Sequence, residues 1–165
     1  MRNKIIILFV ALLAFLLVGC TNKDDNTKQL NKKSIETNKD IYIKSIQKLK
    51  KVKESTDDLP FTVEVKYEKL KNEVRYQVII DNPNTEITDL SAISIHNKQT
   101  DNVFPSVGIF DKKVKLIPDK KPSGVILVGY IPYEGDMDSL NIEIKTLISY
   151  KIGDDKFTSY YVTKK

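Results

Sequence analysis

Three patterns of apolar and polar positions follow one another along this chain. The first is an unbroken apolar run, Ile5 to Val18, behind the basic start Met1-Arg2-Asn3-Lys4. The second centres on Tyr42, Ile46, Leu49 and Val52, preceded by Ile35. These recur at helical steps while Lys44, Lys48 and Lys51 occupy other faces. The spacing predicts a helix over about 38–54, within a basic amphipathic segment 38–56, with Ser34 or Asn38 as N-cap. Before it, residues 21–34 carry Leu30 as their one apolar side chain, so 20–37 is expected to be a flexible tether. The apolar stripe of the helix suits either a membrane or wall polymer, or docking on the domain that follows. A single helix of this length is marginal alone, which favours docking.

The third pattern has period two and begins at Phe61, after the break Ser55-Thr56-Asp57-Asp58-Leu59-Pro60. Phe61, Val63, Val65 and Tyr67 alternate with Thr62, Glu64, Lys66 and Glu68; Leu140, Ile142, Ile144, Thr146, Ile148 and Tyr150 alternate with Asn141, Glu143 and Lys145. Further strands are expected at 73–81, 90–96, 103–110, 113–117, 124–132 and 156–163. Residues 74–80 and 125–131 are apolar on both faces and are expected to run centrally in their sheets. Turn signals separate the strands: Lys71-Asn72, Asp81-Asn82-Pro83-Asn84, His96-Asn97-Lys98, Pro118-Asp119, Glu134-Gly135-Asp136 and Gly153-Asp154-Asp155. Short strands at near-regular spacing, with no helical pattern between them, indicate an antiparallel β-sandwich over 60–165.

The segment Tyr76-Gln77-Val78-Ile79-Ile80-Asp81-Asn82-Pro83 is a strand running into an Asn-containing turn. Pro122-Ser123-Gly124 leads into Val125–Pro132, closed by Gly129-Tyr130-Ile131-Pro132. In these features the domain resembles the immunoglobulin-like sandwiches of small surface lipoproteins of Gram-positive bacteria, over residues 61–163 at most. It lacks the Cys pair and core Trp of antibody-type domains. The resemblance therefore implies an architecture, a mainly β immunoglobulin-like sandwich behind a short basic helix and tether, and says little about a ligand.

The N-terminal run reads as an export signal. Its 14 apolar residues cover about 21 Å as a helix, short of the roughly 30 Å a spanning helix must cross. It ends in Leu17-Val18-Gly19-Cys20, which resembles the lipobox of bacterial lipoproteins. That resemblance implies a signal peptide 1–19, cleavage between Gly19 and Cys20, and diacylglycerol on the Cys20 thiol. Acyl chains contribute about 0.8 kcal/mol per buried methylene, enough with two chains for stable attachment. The expected location is the extracytoplasmic face of the cell membrane, lipid-anchored. No other cofactor is expected.

Charge sharpens this picture. The chain of 165 residues has a formal net charge of +5, unevenly placed. Residues 28–54 hold nine Lys against Glu36, Asp40 and Glu54, whereas 55–165 carry 15 basic and 17 acidic residues. Lys44, Lys48, Lys50 and Lys51 are therefore candidate contacts to anionic headgroups or wall polymers, at about 1 kcal/mol per Lys near such a surface. Nucleic acid is not an expected partner outside the cell.

Catalytic candidates are few. With one Cys and one His there is no intramolecular disulfide and no Cys/His zinc cluster. His96 is the one group with an unperturbed pKa near neutrality, and no Ser or Cys motif supplies it with a nucleophile. Its parity, opposite to Ile93 and Ile95, suggests a wet strand end. Asp136-Met137-Asp138 and Asp154-Asp155 offer oxygen ligands without the full spacing of a calcium loop, so they read as turn residues and no metal site is assigned. Tyr67, Tyr150 and Tyr161 share parity with core positions, Tyr160 reads as exposed, and a partner surface is suggested around 97–106 and 132–138. The expected function is a non-catalytic binding or interaction module at the cell surface, with an unidentified protein or ligand as partner. The alternative is an envelope accessory or immunity lipoprotein acting through its lipid and basic stalk.

Overall fold

Period-two alternation becomes strand over most of the expected segments, although the one expected from Leu140 begins only at Glu143. The computed structural model describes residues 24–98, 103–121 and 124–165. Its strands are β1 (Thr62–Lys69), β2 (Glu73–Asp81), β3 (Ile87–His96), β4 (Ser106–Val107), β5 (Val114–Leu116), β6 (Val125–Pro132), β7 (Glu143–Ile152) and β8 (Asp155–Lys164), preceded by helix α1 (Asp24–Leu49). The chain divides into two units, residues 1–37 and 38–165, the second holding the last turns of α1 and all eight strands. Among the described residues no helix is long and apolar enough to cross a membrane. The expected signal peptide and lipobox, with Gly19 and Cys20, lie outside the described residues.

Two antiparallel sheets form the sandwich. One has the order β1-β2-β6, the other β4-β3-β7-β8, with β5 also on β3. The hairpins β1–β2 and β7–β8 each stay within one sheet, and the chain crosses between sheets after β2, after β5 and after β6. The open edge of β3 is shared: Ile87 and Leu90 face Leu116 and Val114 of β5, and Ala92 and Ile93 face Val107 and Ser106 of β4. Between these pairings the β3 register shifts around Asp89, whose φ is 52°. The chain leaves β4 through Gly108, at φ 69°, where a Cβ would lie 2.5 Å from the Leu90 carbonyl oxygen. Only glycine fits that approach.

The inward faces of the sheets supply one core: Val74, Tyr76, Val78 and Ile80 from β2, Leu127 and Ile131 from β6, Leu90 and Ala92 from β3, and Ile144, Ile148 and Tyr150 from β7. A second core lies on the outer face of the larger sheet. There Tyr42, Ile46 and fully buried Leu49 of α1 meet Ile93, Ile95, Ile109, Leu147 and Tyr160. Burying a Leu side chain is worth about 1.5–3 kcal/mol, so this stripe holds the end of α1 on the sheet. Tyr42, Ile46 and Leu49 are thus covered by the domain, whereas Ile35 stays exposed.

Three expectations change. First, α1 begins at Asp24, inside the stretch expected to be tether, and ends at Leu49, short of 54. Residues 24–37 contain no Gly or Pro and several good helix formers, so lacking a surface to bury does not bar a helix. At the other end, Lys51 N–H bonds to the Lys48 carbonyl at 3.0 Å and Val52 N–H to the Leu49 carbonyl at 3.1 Å, tightening the last turn. Second, residues 125–131 were expected to be central, yet β6 is an edge strand whose Ile126, Val128 and Tyr130 side chains are exposed. Third, β4 is two residues long where a strand over 103–110 was expected, pairing with Ala92 and Ile93, with one further bond from the Ser94 N–H to the Pro105 carbonyl at 3.1 Å.

Candidate binding end of the sandwich

The start of β2, the end of β3, the end of β6 and the start of β7 meet at one end of the sandwich, as their registers require: Glu73 faces Pro132 and His96 faces Ile144. His96 sits in the middle of this end. It is 8% exposed, and its imidazole lies edge-on between the Tyr76 ring (centroids 5.7 Å apart) and the Phe104 ring (5.2 Å). The wet strand end inferred for His96 is thus corrected. Beyond its bulge β3 is covered on both faces, by α1 over Ile93 and Ile95 and by β2 over Ala92, Ser94 and His96, so alternation no longer separates wet from dry.

Two clefts open on either side of His96 and Phe104. One, of about 420 Å³, runs between the end of β6 (Val128, Gly129, Tyr130) and the segment Val103-Phe104-Pro105, with Glu73, Tyr76 and His96 also lining it. The other, of about 430 Å³, lies toward α1 and β7 and is lined by Lys50, Asn97, Lys98, Glu143 and Lys145 with Ile95, His96 and Phe104. Phe104 is fixed from the helix side, since the Tyr42 hydroxyl donates to its carbonyl at 3.0 Å.

Polar groups in the first cleft are left unsatisfied. Neither the Tyr76 hydroxyl nor His96 Nδ1 has a hydrogen-bond partner, although both are buried. Such orphans are rare, because each forfeits the hydration it loses on folding. Burial pushes the Tyr76 pKa well above its ordinary value, opposed by the neighbouring Ser94 side chain, whose oxygen also accepts from the Thr146 hydroxyl at 3.2 Å. Burial likewise lowers the His96 pKa, opposed by a bond to the Lys98 backbone. Gly129 makes room for this arrangement. A Cβ there would lie 2.2 Å from Tyr76 Cζ, directly across the β2–β6 pair.

The second cleft is electrostatically self-contained. Lys145 Nζ reaches Glu143 at 3.1 Å and the Val52 carbonyl at 2.6 Å, and Lys164 approaches the same carboxylate at 3.5 Å. The bond from Lys145 holds the Glu143 carboxyl below the usual carboxylate range. Asn97 ties β3 to β7 by accepting the Glu143 N–H at 3.0 Å and donating its own N–H to the Glu143 carbonyl at 3.1 Å.

The residues singled out from sequence are distributed unevenly over this site. Lys44, Lys48, Lys50 and Lys51 are all exposed, but they do not form one patch. Lys50 lines the second cleft, Lys44 and Lys48 flank a shallow depression by Leu147 and Thr158, and Lys48 Nζ stands 5.2 Å above the Tyr160 ring. Tyr160, expected to be exposed, is instead half-covered by α1. Of the two loops suggested as a partner surface, 97–106 contributes Val103, Phe104 and Pro105 to the first cleft and Asn97, Lys98 and Phe104 to the second, its residues 99–102 lying outside the described residues. The 132–138 loop is internally tied, the Tyr133 hydroxyl bonding to the Asp136 carbonyl at 2.9 Å and to Ser139 Oγ at 2.7 Å. Among the described residues no three His, Cys, Asp or Glu side chains cluster closely enough to hold a metal ion. Tyr76 and Gly129 were missed as site residues, whereas Phe104 falls within the 97–106 loop suggested as a partner surface. The available signal was a glycine inside a strictly apolar strand, which marks close approach by a neighbour.

No protein-family model matches this chain, and no curated protein or solved structure matches it either.

Proposed function

We propose that this protein is a lipid-anchored, extracytoplasmic binding module, tethered through Cys20 and using the His96–Phe104 end of its sandwich to bind without catalysis. The observation that carries the binding role is the first cleft, whose lining residues include Tyr76 and His96, each with a buried polar atom that lacks a hydrogen-bond partner. Its size falls within the usual range for small-molecule pockets, about 300–1,000 Å³. The Nδ1 atom of His96 meets neither a nucleophile nor an orienting carboxylate, the pairing that base catalysis would require. The tether is supported by the lipobox-like Leu17-Val18-Gly19-Cys20 and the export-type run before it.

A photoreactive residue in place of Val103, which is 82% exposed on the rim of this cleft, tests the binding role in the cells that make the protein. The expected result, read by intact-mass spectrometry, is an added mass at position 103 and none when the same residue replaces Lys120 at the opposite end. Equal labelling at both positions, or none at 103, would refute the assignment.

A further inference from the structure

The two edges of the smaller sheet are guarded differently. At one edge, β1 puts Glu64, Lys66 and Glu68 on its outer face, with Lys66 Nζ 3.4 Å from Glu64. Such charged cover keeps an edge from pairing with another chain. At the other edge, β6 reads Val-Ile-Leu-Val-Gly-Tyr-Ile-Pro, eight residues without a charge, and Ile126, Val128 and Tyr130 stand exposed on its outer face. Its backbone is open there as well. The Tyr133 N–H bonds to the Asn72 carbonyl, so in the regular register of β2 with β6 the odd-numbered residues of β6 exchange hydrogen bonds with β2. The N–H and C=O groups of Ile126, Val128 and Tyr130 therefore point to the free edge, and among the described residues none of them meets a backbone partner there. Pro132, which has no N–H to leave unpaired, holds the next outward position.

An antiparallel copy of β6 fits this edge in a definite register. With Val128 facing Val128 of the second copy, Ile126 faces Tyr130, and the outward N–H groups of all three residues meet outward C=O groups. The apolar row of one copy then continues into that of the other. Charge fixes the direction. The chain enters β6 from exposed Lys120 and Lys121 and leaves it toward exposed Glu134 and Asp136. Antiparallel pairing sets the lysines of each copy against the acids of the other, whereas parallel pairing sets like against like. We propose that β6 is a dimerisation edge, on which two copies of this chain join their three-stranded sheets into one antiparallel sheet about a two-fold axis at Val128. The pairing goes beyond the binding role: Val128 and Tyr130 also line the first cleft, so the second copy borders it, whatever the cleft binds.

The test is oxidative cross-linking of the full chain in membranes of the cells that make it, with one cysteine introduced at a time on the outer face. In the proposed register the two Val128 Cα atoms stand about 5.5 Å apart, within disulfide reach, whereas those of Ile126 are offset by four residues, about 14 Å. Val128→Cys is expected to give a disulfide-linked dimer of this chain, and Ile126→Cys and Lys66→Cys to stay monomeric. Cys20 is common to all three variants and so does not distinguish them. Lys120→Glu with Lys121→Glu should lower the dimer yield of Val128→Cys roughly tenfold, and adding Glu134→Lys with Asp136→Lys should restore it. On the unmodified chain, carbodiimide should join Lys120 or Lys121 to Glu134 or Asp136. One copy cannot make that link, because β6 separates these groups by about 24 Å. No dimer from Val128→Cys, equal dimers at all three positions, or a disulfide from position 128 to a different protein would overturn the proposal. If Val128→Cys does not fold, the carbodiimide link decides alone, and its absence rejects the pairing. Labelling at position 103 with no dimer through position 128 would leave the binding end standing and remove the dimer.

Discussion

His96 stays neutral because folding removes it from water between two aromatic rings and a strand end. Its pKa is lowered in the folded state, so on acidification the unfolded chain takes up the proton first and stability falls. The loss begins near pH 6.5 and deepens toward the folded pKa, at no more than about 1.4 kcal/mol per pH unit. Among the described residues the charged neighbours are Glu73 in one cleft and Lys50, Lys98, Glu143 and Lys145 in the other. Asp89 and Glu143, held below the usual carboxylate range by Lys151 and Lys145, contribute stability that is lost only at lower pH, so they leave this window to His96. Urea midpoints at pH 7 and pH 5 should differ in the wild type and converge in His96→Gln; an unchanged difference would contradict the account. Gly129 yields a second expectation. Gly129→Ala places a methyl against the Tyr76 ring and should lower stability by about 1–3 kcal/mol, whereas Gly153→Ala removes no space, since nothing lies within 4 Å, and is opposed only by its φ of 58°. Thermal melts of the two variants separate crowding from backbone strain.

The strands were legible because half-buried strands write their two faces directly into the sequence, and alternation at 61–67 and 140–150 marks sides that remain inward in the fold. Where an element is covered twice, or exposed where it is apolar, the same signal misleads. The end of β3 is the first case and β6 the second. The helix shows a different limit. Its apolar stripe pointed to docking, yet its start was missed because a polar, solvated helix leaves no periodic mark. Docking predicts a contrast within α1: Leu49→Ala should cost about 2–5 kcal/mol, and Ile43→Ala, on the exposed side, less than about 1 kcal/mol. Urea denaturation followed by circular dichroism gives both values. Equal and small effects would mean that the stripe does not hold the helix on the sheet. Because Ile93, Ile95 and Leu147 depend on that cover, a fragment meant to carry the domain should start at Asn38, not after the helix.

At the scale of the molecule the account joins an anchor, a helix that docks on one sheet, and a sandwich whose far-from-regular end holds the clefts. Little of that end was visible in the chain. Tyr76, His96, Phe104 and Gly129 stand on three strands and a loop, and only strand registers bring them together. The anchor is the opposite case: basic start, apolar run and lipobox lie within twenty consecutive residues, so sequence alone suggests it. Everything said of location depends on that segment. The most direct measurement is therefore mass spectrometry of the N-terminal peptide of the chain recovered from a membrane fraction. The account predicts a first residue Cys20 carrying diacylglycerol, and loss of that species in Cys20→Ser. A mature N-terminus elsewhere, or a free thiol at Cys20, would contradict it.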